Sequence, residues 1–148
     1  MIYSAIKYHQ KAKVTGNRII QNSQKRQFSA ISGFTGFYFW SGKYLAEDAG
    51  YEPVGPVSQV MTAIGVALKE FLDAALLDVD LEGQSAQPVA EILARRGIPF
   101  AVVTSYDRAR LPTAMRGHPY IRKPFTDGEI KAVVAGMCAN SGTPSHTP

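Results

Sequence analysis

Three apolar runs of this chain end in polar side chains, and this repeated pattern constrains the fold more than any other feature. The polar residues are Asp78, Thr104 and Lys123, and they follow segments 74–77, 100–103 and 120–122. Uniformly apolar runs are typical of parallel strands that are covered on both faces. Because the carboxyl ends of parallel strands meet at one edge of a sheet, we expect a carboxylate, a hydroxyl and an ammonium group to lie together there. Such a trio suits phosphoryl chemistry.

Helical patterns separate these runs and follow the last of them. Ser58 is a candidate N-cap for the first helix. The apolar positions with helical spacing are Met61, Ile64, Leu68 and Phe71 after it, then Ala86, Val89, Ala90 and Leu93, and finally Ile130, Val133, Val134 and Met137. Thr126 and Glu129 have the spacing of a capping box, and Gly97 stands where a helix would end. A short helix over 107–115 contains Pro112, which is tolerable only in its first turn or as a break. A strand at 51–57, interrupted by prolines, suits a sheet edge.

Repeated strand and helix units predict an α/β domain, doubly wound around a five-stranded parallel sheet with right-handed crossovers. Residues 1–46 contain seven basic and no acidic side chains, whereas the remainder contains nine basic and twelve acidic ones. Three interpretations of this basic segment are a nucleic-acid-binding arm, a solvated tail and an organellar transit peptide, for which the amphipathic face is lacking. We expect a disordered tail over 1–27 and regard nucleic acid as an unlikely partner, because the basic residues form no tight cluster. A second disordered tail is predicted over 139–148.

The single cysteine, Cys138, excludes a disulfide framework and fits a reducing compartment. No apolar run reaches the length of a membrane span, and the first 28 residues lack the apolar centre of a secretory signal. We therefore expect a cytoplasmic protein that does not enter a membrane.

The stretch 45–135 resembles the receiver domain of bacterial response regulators, the chemotaxis-type phosphoacceptor fold. The matching motifs are Ala46-Glu47-Asp48-Ala49-Gly50-Tyr51-Glu52, Leu76-Leu77-Asp78-Val79-Asp80, Val102-Val103-Thr104-Ser105-Tyr106-Asp107 and Tyr120-Ile121-Arg122-Lys123-Pro124-Phe125. The resemblance implies a flavodoxin-like strand order 2-1-3-4-5 and a domain over 28–138. The bond between Lys123 and Pro124 is commonly cis in this family.

The resemblance also implies a role for each polar residue of the site. Asp78 would be the phosphoacceptor, Lys123 would hold one phosphoryl oxygen, and Thr104 would hydrogen-bond another. Tyr120 matches the switch aromatic of the family, which turns inward when that hydroxyl moves toward the phosphate. Asp80 matches the residue whose main-chain carbonyl binds Mg²⁺, and Asp78 itself would be a further metal ligand.

The amino end departs from the family pattern. Receiver domains place two adjacent acidic residues after their first strand, and that pair would fall near Gly33 and Phe34, but no acidic residue precedes Glu47. Mg²⁺ would therefore depend on few protein oxygens and bind weakly. The first strand lies either at 28–32, with a helix at 37–49, or at 34–40. The chain is either a degenerate receiver, or a normal one whose start was replaced by a misassigned start or a frame error.

Three functions follow from these features. The preferred one is a response regulator receiver, not an enzyme, that accepts a phosphoryl group on Asp78 from a histidine kinase or phosphotransfer protein and signals to an unknown downstream protein. The alternative is a pseudo-receiver that binds protein without phosphorylation. A haloacid-dehalogenase-type phosphatase is less favoured, because that family needs an acidic pair after the lysine and only Asp127 and Glu129 follow. A homodimer through the last strand and helices is left open.

Overall fold

The computed structural model describes residues 6–8, 26–31, 52–54 and 57–140. The strands in these ranges are β1 (Ile6–Tyr8), β2 (Arg26–Ile31), β3 (Glu52–Val54), β4 (Ala74–Asp78), β5 (Asp80–Leu81), β6 (Gln84–Ser85), β7 (Phe100–Thr104) and β8 (Tyr120–Arg122). The α-helices are α1 (Val60–Lys69), α2 (Gln87–Arg95) and α3 (Asp127–Asn140). No helix within these ranges is long and apolar enough to cross a membrane.

A mainly parallel sheet forms the centre of the fold. Its strands run in the order β1-β2-β4-β7-β8, and β3 also pairs with β2. All residues of β4 and β7 are buried, as the apolar runs 74–77 and 100–103 predicted for strands covered on both faces. β2, β3, β4, β7 and β8 are joined by parallel pairings, so their carboxyl ends point toward one edge.

The outer part of the sheet differs from the prediction. We expected five parallel strands, but the sheet has six, and β1 runs antiparallel to β2. β1 also lies inside the range 1–27, for which a disordered tail was expected. β2 overlaps the first of the two predicted locations of the initial strand, 28–32. The predicted helix at 37–49 and most of the tail at 139–148 lie outside the described residues.

Helices cover both faces of the sheet, which makes the domain doubly wound. One core joins α1 and α2 to one face, and it contains Val60, Ala63, Ala67, Ala75, Leu77, Val89, Leu93, Phe100 and Val102 among its buried residues. The other joins α3 to the opposite face, and it contains Ala74, Leu76, Ala101, Val103, Ile121, Ile130, Val134 and Met137. Alternate residues of β4 and β7 thus supply the two cores, because successive side chains of a strand point to opposite faces.

The buried face of α1 is not the one that its large apolar residues predicted. Met61 is 74% exposed and Leu68 is 54% exposed, whereas Val60, Ala63 and Ala67 are buried. Both sets have helical spacing, so periodicity alone does not distinguish them. α1 packs against α2, and the residues on its buried face are small. The helix follows Gln59 as its N-cap rather than Ser58.

The ends of α2 and α3 follow the predicted chemistry. Gly97 has a φ of 67°, a left-handed conformation that suits glycine, shortly after α2 ends. Before α3, the Thr126 N–H donates to Glu129 Oε2 at 2.6 Å and the Glu129 N–H donates to Thr126 Oγ1 at 3.3 Å. This capping box lowers the pKa of Glu129, chiefly through the backbone hydrogen bond from Thr126.

The segment between β7 and β8 contains two 3-10 turns rather than the single helix predicted over 107–115. They are Arg108–Arg110 and Thr113–Met115. Leu111 between them is extended, with a ψ of 139°, as expected for a residue that precedes proline. Pro112 therefore acts as a break, because it has no N–H to continue a helix.

Candidate functional site

The carboxyl ends of β4, β7 and β8 place the predicted site residues side by side. Asp78, the last residue of β4, pairs in register with Val103, and Thr104 pairs with Arg122. The Lys123 N–H donates to the Thr104 carbonyl at 2.9 Å, which continues the β7–β8 pairing by one residue. Strand register therefore brings Asp78, Thr104 and Lys123 to one edge of the sheet. The Lys123–Pro124 peptide bond that follows is cis.

Asp78 and Thr104 are the only buried polar or charged residues in the part of the chain that the structure describes, at 6% and 1% exposure. The Lys123 ammonium group donates a hydrogen bond to Asp78 Oδ2, and both side chains are nearly buried. The Asp80 N–H donates to Asp78 Oδ1 at 3.3 Å. A buried carboxylate is costly unless it is paired and hydrogen-bonded, and these two contacts meet that requirement.

Thr104 is held by the loop that follows it. Its Oγ1 accepts a hydrogen bond from the Tyr106 N–H at 3.2 Å, the turn pattern in which a hydroxyl bonds the backbone two residues on. The hydroxyl hydrogen is not used in this bond, so Thr104 is able to donate to an anion at the sheet edge.

Tyr120 is linked to the same loop. Its hydroxyl donates to the Tyr106 carbonyl. The guanidinium carbon of Arg108 lies 5.1 Å from the centre of the Tyr120 ring, within the range of a cation–π interaction. Sequence reasoning assigned no role to Tyr106 or Arg108. A hydroxyl two residues before Tyr106 was the available signal, but the contacts depend on loop geometry.

A tight hairpin follows Asp78. Asp80 Oδ1 accepts a hydrogen bond from the Gly83 N–H at 2.6 Å, and β5 pairs with β6 in antiparallel orientation. Glu82 and Gly83 both have positive φ values, 51° and 81°. The carboxylate of Asp80 is therefore used to close the turn, and the metal-binding role of its carbonyl stays a prediction.

The described residues do not provide a fitting magnesium site. Mg²⁺ requires several oxygen ligands in near-octahedral geometry. Among the described ranges no group of three or more His, Cys, Asp or Glu residues is able to hold a metal ion. One oxygen of Asp78 already accepts a hydrogen bond from Lys123, and the side-chain carboxylate of Asp80 accepts one from Gly83 in the hairpin. Gly33 and Phe34, where the sequence lacks the acidic pair, lie outside the described residues.

Solved structures that are similar to this chain belong to one family. SdrG from Sphingomonas melonis Fr1 is 30% identical, with 72% of this chain and 91% of that chain covered and a TM-score of 0.63. The PhyR response regulator REC domain of Erythrobacter litoralis is 22% identical, with 79% and 93% covered and a TM-score of 0.64. A sensor histidine kinase receiver domain from Pseudomonas aeruginosa PAO1, solved with a magnesium ion in its active site cleft, is 18% identical, with 74% and 94% covered and a TM-score of 0.62. No protein-family model and no curated protein matches the chain. From the similarity to these structures, the chain belongs to the response regulator receiver domain family.

Proposed function

We propose that this receiver domain accepts a phosphoryl group on Asp78 from the phosphohistidine of a histidine kinase or phosphotransfer protein. The observation that carries the proposal is the burial of Asp78 and Thr104 at one sheet edge, with Lys123 bonded to Asp78. Burying polar side chains costs free energy unless they are paired and hydrogen-bonded, and a phosphoryl-binding role accounts for their burial at this edge.

The transfer follows from the groups present. An oxygen of Asp78 attacks phosphorus, a P–O bond forms, and the P–N bond to the donor imidazole breaks with its electron pair kept by nitrogen. The Asp78 oxygen supplies the electron pair of the new bond. The Lys123 ammonium group moves from the carboxylate to a phosphoryl oxygen, and the new hydrogen bond there replaces the one to Asp78. The Thr104 hydroxyl donates a hydrogen bond to another phosphoryl oxygen.

The loop after β7 then transmits the signal. When the Thr104 side chain rotates toward the phosphoryl group, its oxygen no longer accepts the hydrogen bond that the Tyr106 N–H donates in this structure. Tyr106 also holds Tyr120 through its carbonyl. Displacement of Thr104 therefore loosens the backbone segment that fixes Tyr120, which is how a local charge change reaches the surface.

The rest of the proposal concerns architecture and location. β3, β2, β4, β7 and β8 correspond to the flavodoxin-like order 2-1-3-4-5, with β1 as an addition at the edge. Taking β2 as the first strand places Gly33 and Phe34 just past its carboxyl end, where receivers carry their acidic pair. We assign the domain to 28–138 and the protein to the cytoplasm, where histidine kinases present their phosphoryl groups.

A pseudo-receiver is the second candidate, and the sequence itself favours it. No acidic residue precedes Glu47, so the usual source of metal ligands is missing. In that case the domain binds a protein partner in a single state, and Asp78 and Lys123 serve as a buried ion pair only.

Labelling with acetyl phosphate separates the two candidates. We expect the full chain to gain the mass of one phosphoryl group, released by hydroxylamine as an acyl phosphate should be. Asp78→Asn should abolish labelling, because an amide is a poor nucleophile, whereas the matched control Asp127→Asn changes an exposed carboxylate and should label normally. Gly33→Asp or Phe34→Asp should increase the labelling rate if β2 is in the register proposed.

Circular dichroism should show that each variant is folded. Absence of any acyl phosphate in folded protein, across the whole range of Mg²⁺ concentration, would exclude the phosphorelay function and leave the binding module.

A further inference from the structure

The segment 105–122 has a charge opposite to that of the chain around it. It carries four arginines and one acidic residue, for a net charge of +3, whereas the rest of residues 47–148 has five basic and eleven acidic residues, for a net charge of −6. The arginines are Arg108, Arg110, Arg116 and Arg122, and all are exposed. We call these four residues the arginine surface.

Internal contacts order two of these side chains. Arg122 forms an ion pair with Asp107 at 3.0 Å, with side chains 63% and 64% exposed. Arg108 lies over the ring of Tyr120. Solvated ion pairs contribute little to stability, so Asp107 is a weak partner that a better-placed carboxylate is able to replace on Arg122.

The remaining two arginines frame the same loop. The Arg116 Nε–H donates a hydrogen bond to the Leu111 carbonyl at 2.8 Å, and this bond does not use the two terminal nitrogens of the guanidinium group. Arg110 is exposed, and among the described residues its guanidinium group forms no ion pair or side-chain hydrogen bond. Arginine side chains that are partly immobilised lose less conformational entropy when they bind carboxylates.

Tyr106 supplies an aromatic side chain to this surface. Its side chain is 42% exposed, while its N–H and its carbonyl are both engaged, with Thr104 and Tyr120 respectively. Tyrosine and arginine are the residue types most enriched at the energetic centres of protein interfaces. These two hydrogen bonds hold the main chain from which the exposed Tyr106 ring extends.

We propose that the arginine surface and Tyr106 bind an acidic segment of a partner protein. Carboxylates pair with the guanidinium groups in the bidentate geometry that arginine favours, and an apolar side chain of the same segment packs on the Tyr106 ring. Nucleic acid fits less well. Phosphate binding depends on many neutralising cations, and this surface offers four guanidinium groups with a carboxylate, Asp107, among them.

The binding itself needs no phosphoryl group, but its regulation rests on the proposed function. Movement of the Thr104 hydroxyl toward a phosphoryl group releases the Tyr106 N–H and so changes the position of the ring. Phosphorylation of Asp78 would therefore alter the affinity of this surface for the acidic segment.

Fluorescence anisotropy of a dye-labelled, glutamate-rich peptide containing one phenylalanine tests the proposal on the unphosphorylated full chain. Arg110→Glu should weaken binding at least about tenfold, as for a residue at the centre of an interface. The matched control Arg95→Glu makes the same charge change at the exposed end of α2 and should alter the Kd by less than about twofold, because distant surface charges are screened. Amide NMR shifts induced in the wild-type chain should concentrate in residues 105–111 and 120–122.

Three results would overturn the proposal: equal weakening by Arg95→Glu and Arg110→Glu, amide shifts outside this surface, or tighter binding of a DNA oligonucleotide of equal net charge. The NMR map decides the matter even if Arg110→Glu fails to fold. Failure of the two proposals is distinguishable. Peptide binding without Asp78 labelling refutes the phosphorelay function alone, and labelling without peptide binding refutes the arginine surface alone.

Discussion

Replacing Lys123 by alanine should destabilise the fold, because it removes the cation that the structure places on a buried carboxylate. The side chains of Lys123 and Asp78 are only 10% and 8% exposed. Removing one partner of a buried ion pair costs about 3–5 kcal/mol. Asp78 keeps the hydrogen bond from the Asp80 N–H at 3.3 Å, which offsets part of the loss, so we take the lower end, about 3 kcal/mol.

Urea denaturation measures this loss. With an m-value of about 2 kcal/mol per M, a loss of about 3 kcal/mol lowers the unfolding midpoint by about 1.5 M. The matched control Lys131→Ala removes an exposed lysine and should stay within about 0.5 kcal/mol of the wild type. The double variant Asp78→Asn with Lys123→Met removes both charges and should recover most of the loss. A Lys123→Ala variant as stable as Lys131→Ala would refute the claim that this pair is desolvated.

Three further predictions concern other parts of the domain. Arg96 donates to the carbonyl of Glu70 at 2.9 Å at the end of α1, so Arg96→Ala should lower the free energy of unfolding by about 1 kcal/mol, with Arg95→Ala as an inert control in the same urea assay. Burial lowers the pKa of His118, which stacks on Phe100 at 3.8 Å. Stability should therefore fall as the pH drops below about 6.5, where the unfolded chain takes up the proton first, and His118→Phe should flatten that dependence; identical pH profiles would contradict this. Labelling by acetyl phosphate should need more Mg²⁺ for its half-maximal rate than a receiver with the acidic pair does, and equal dependence in a Mg²⁺ titration would show that other oxygens complete the shell.

The sequence predicted the centre of the fold better than its edges. The runs 74–77 of β4 and 100–103 of β7 are uniformly apolar, which is typical of strands covered on both faces. Register then places the residue after each run at the same edge, so the proximity of Asp78 and Lys123 followed without knowledge of any loop. The buried face of α1 was harder to predict, because two faces had helical spacing and the packing against α2 is a tertiary contact that the spacing does not show.

The contacts of Tyr106 show why the rest of the site was not predictable. They require a particular loop backbone between Thr104 and the break at Pro112, and no periodic pattern encodes that backbone. β1 was missed for a related reason. Three residues, Ile6–Tyr8, are too few to produce a strand signal, and their pairing with β2 spans a long stretch of intervening chain.

The two segments that flank Asp78, the hairpin after it and the loop after Thr104, are held in different ways. On one side, the Asp80 carboxylate closes the turn at Gly83, and the Ala86 N–H donates to the Val79 carbonyl at 2.9 Å, which ties both ends of the excursion together. On the other side, the chain after Thr104 is divided into two short turns separated by an extended residue. We therefore expect a displacement that begins at Asp78 to move the segment between β7 and β8 further than it moves the hairpin.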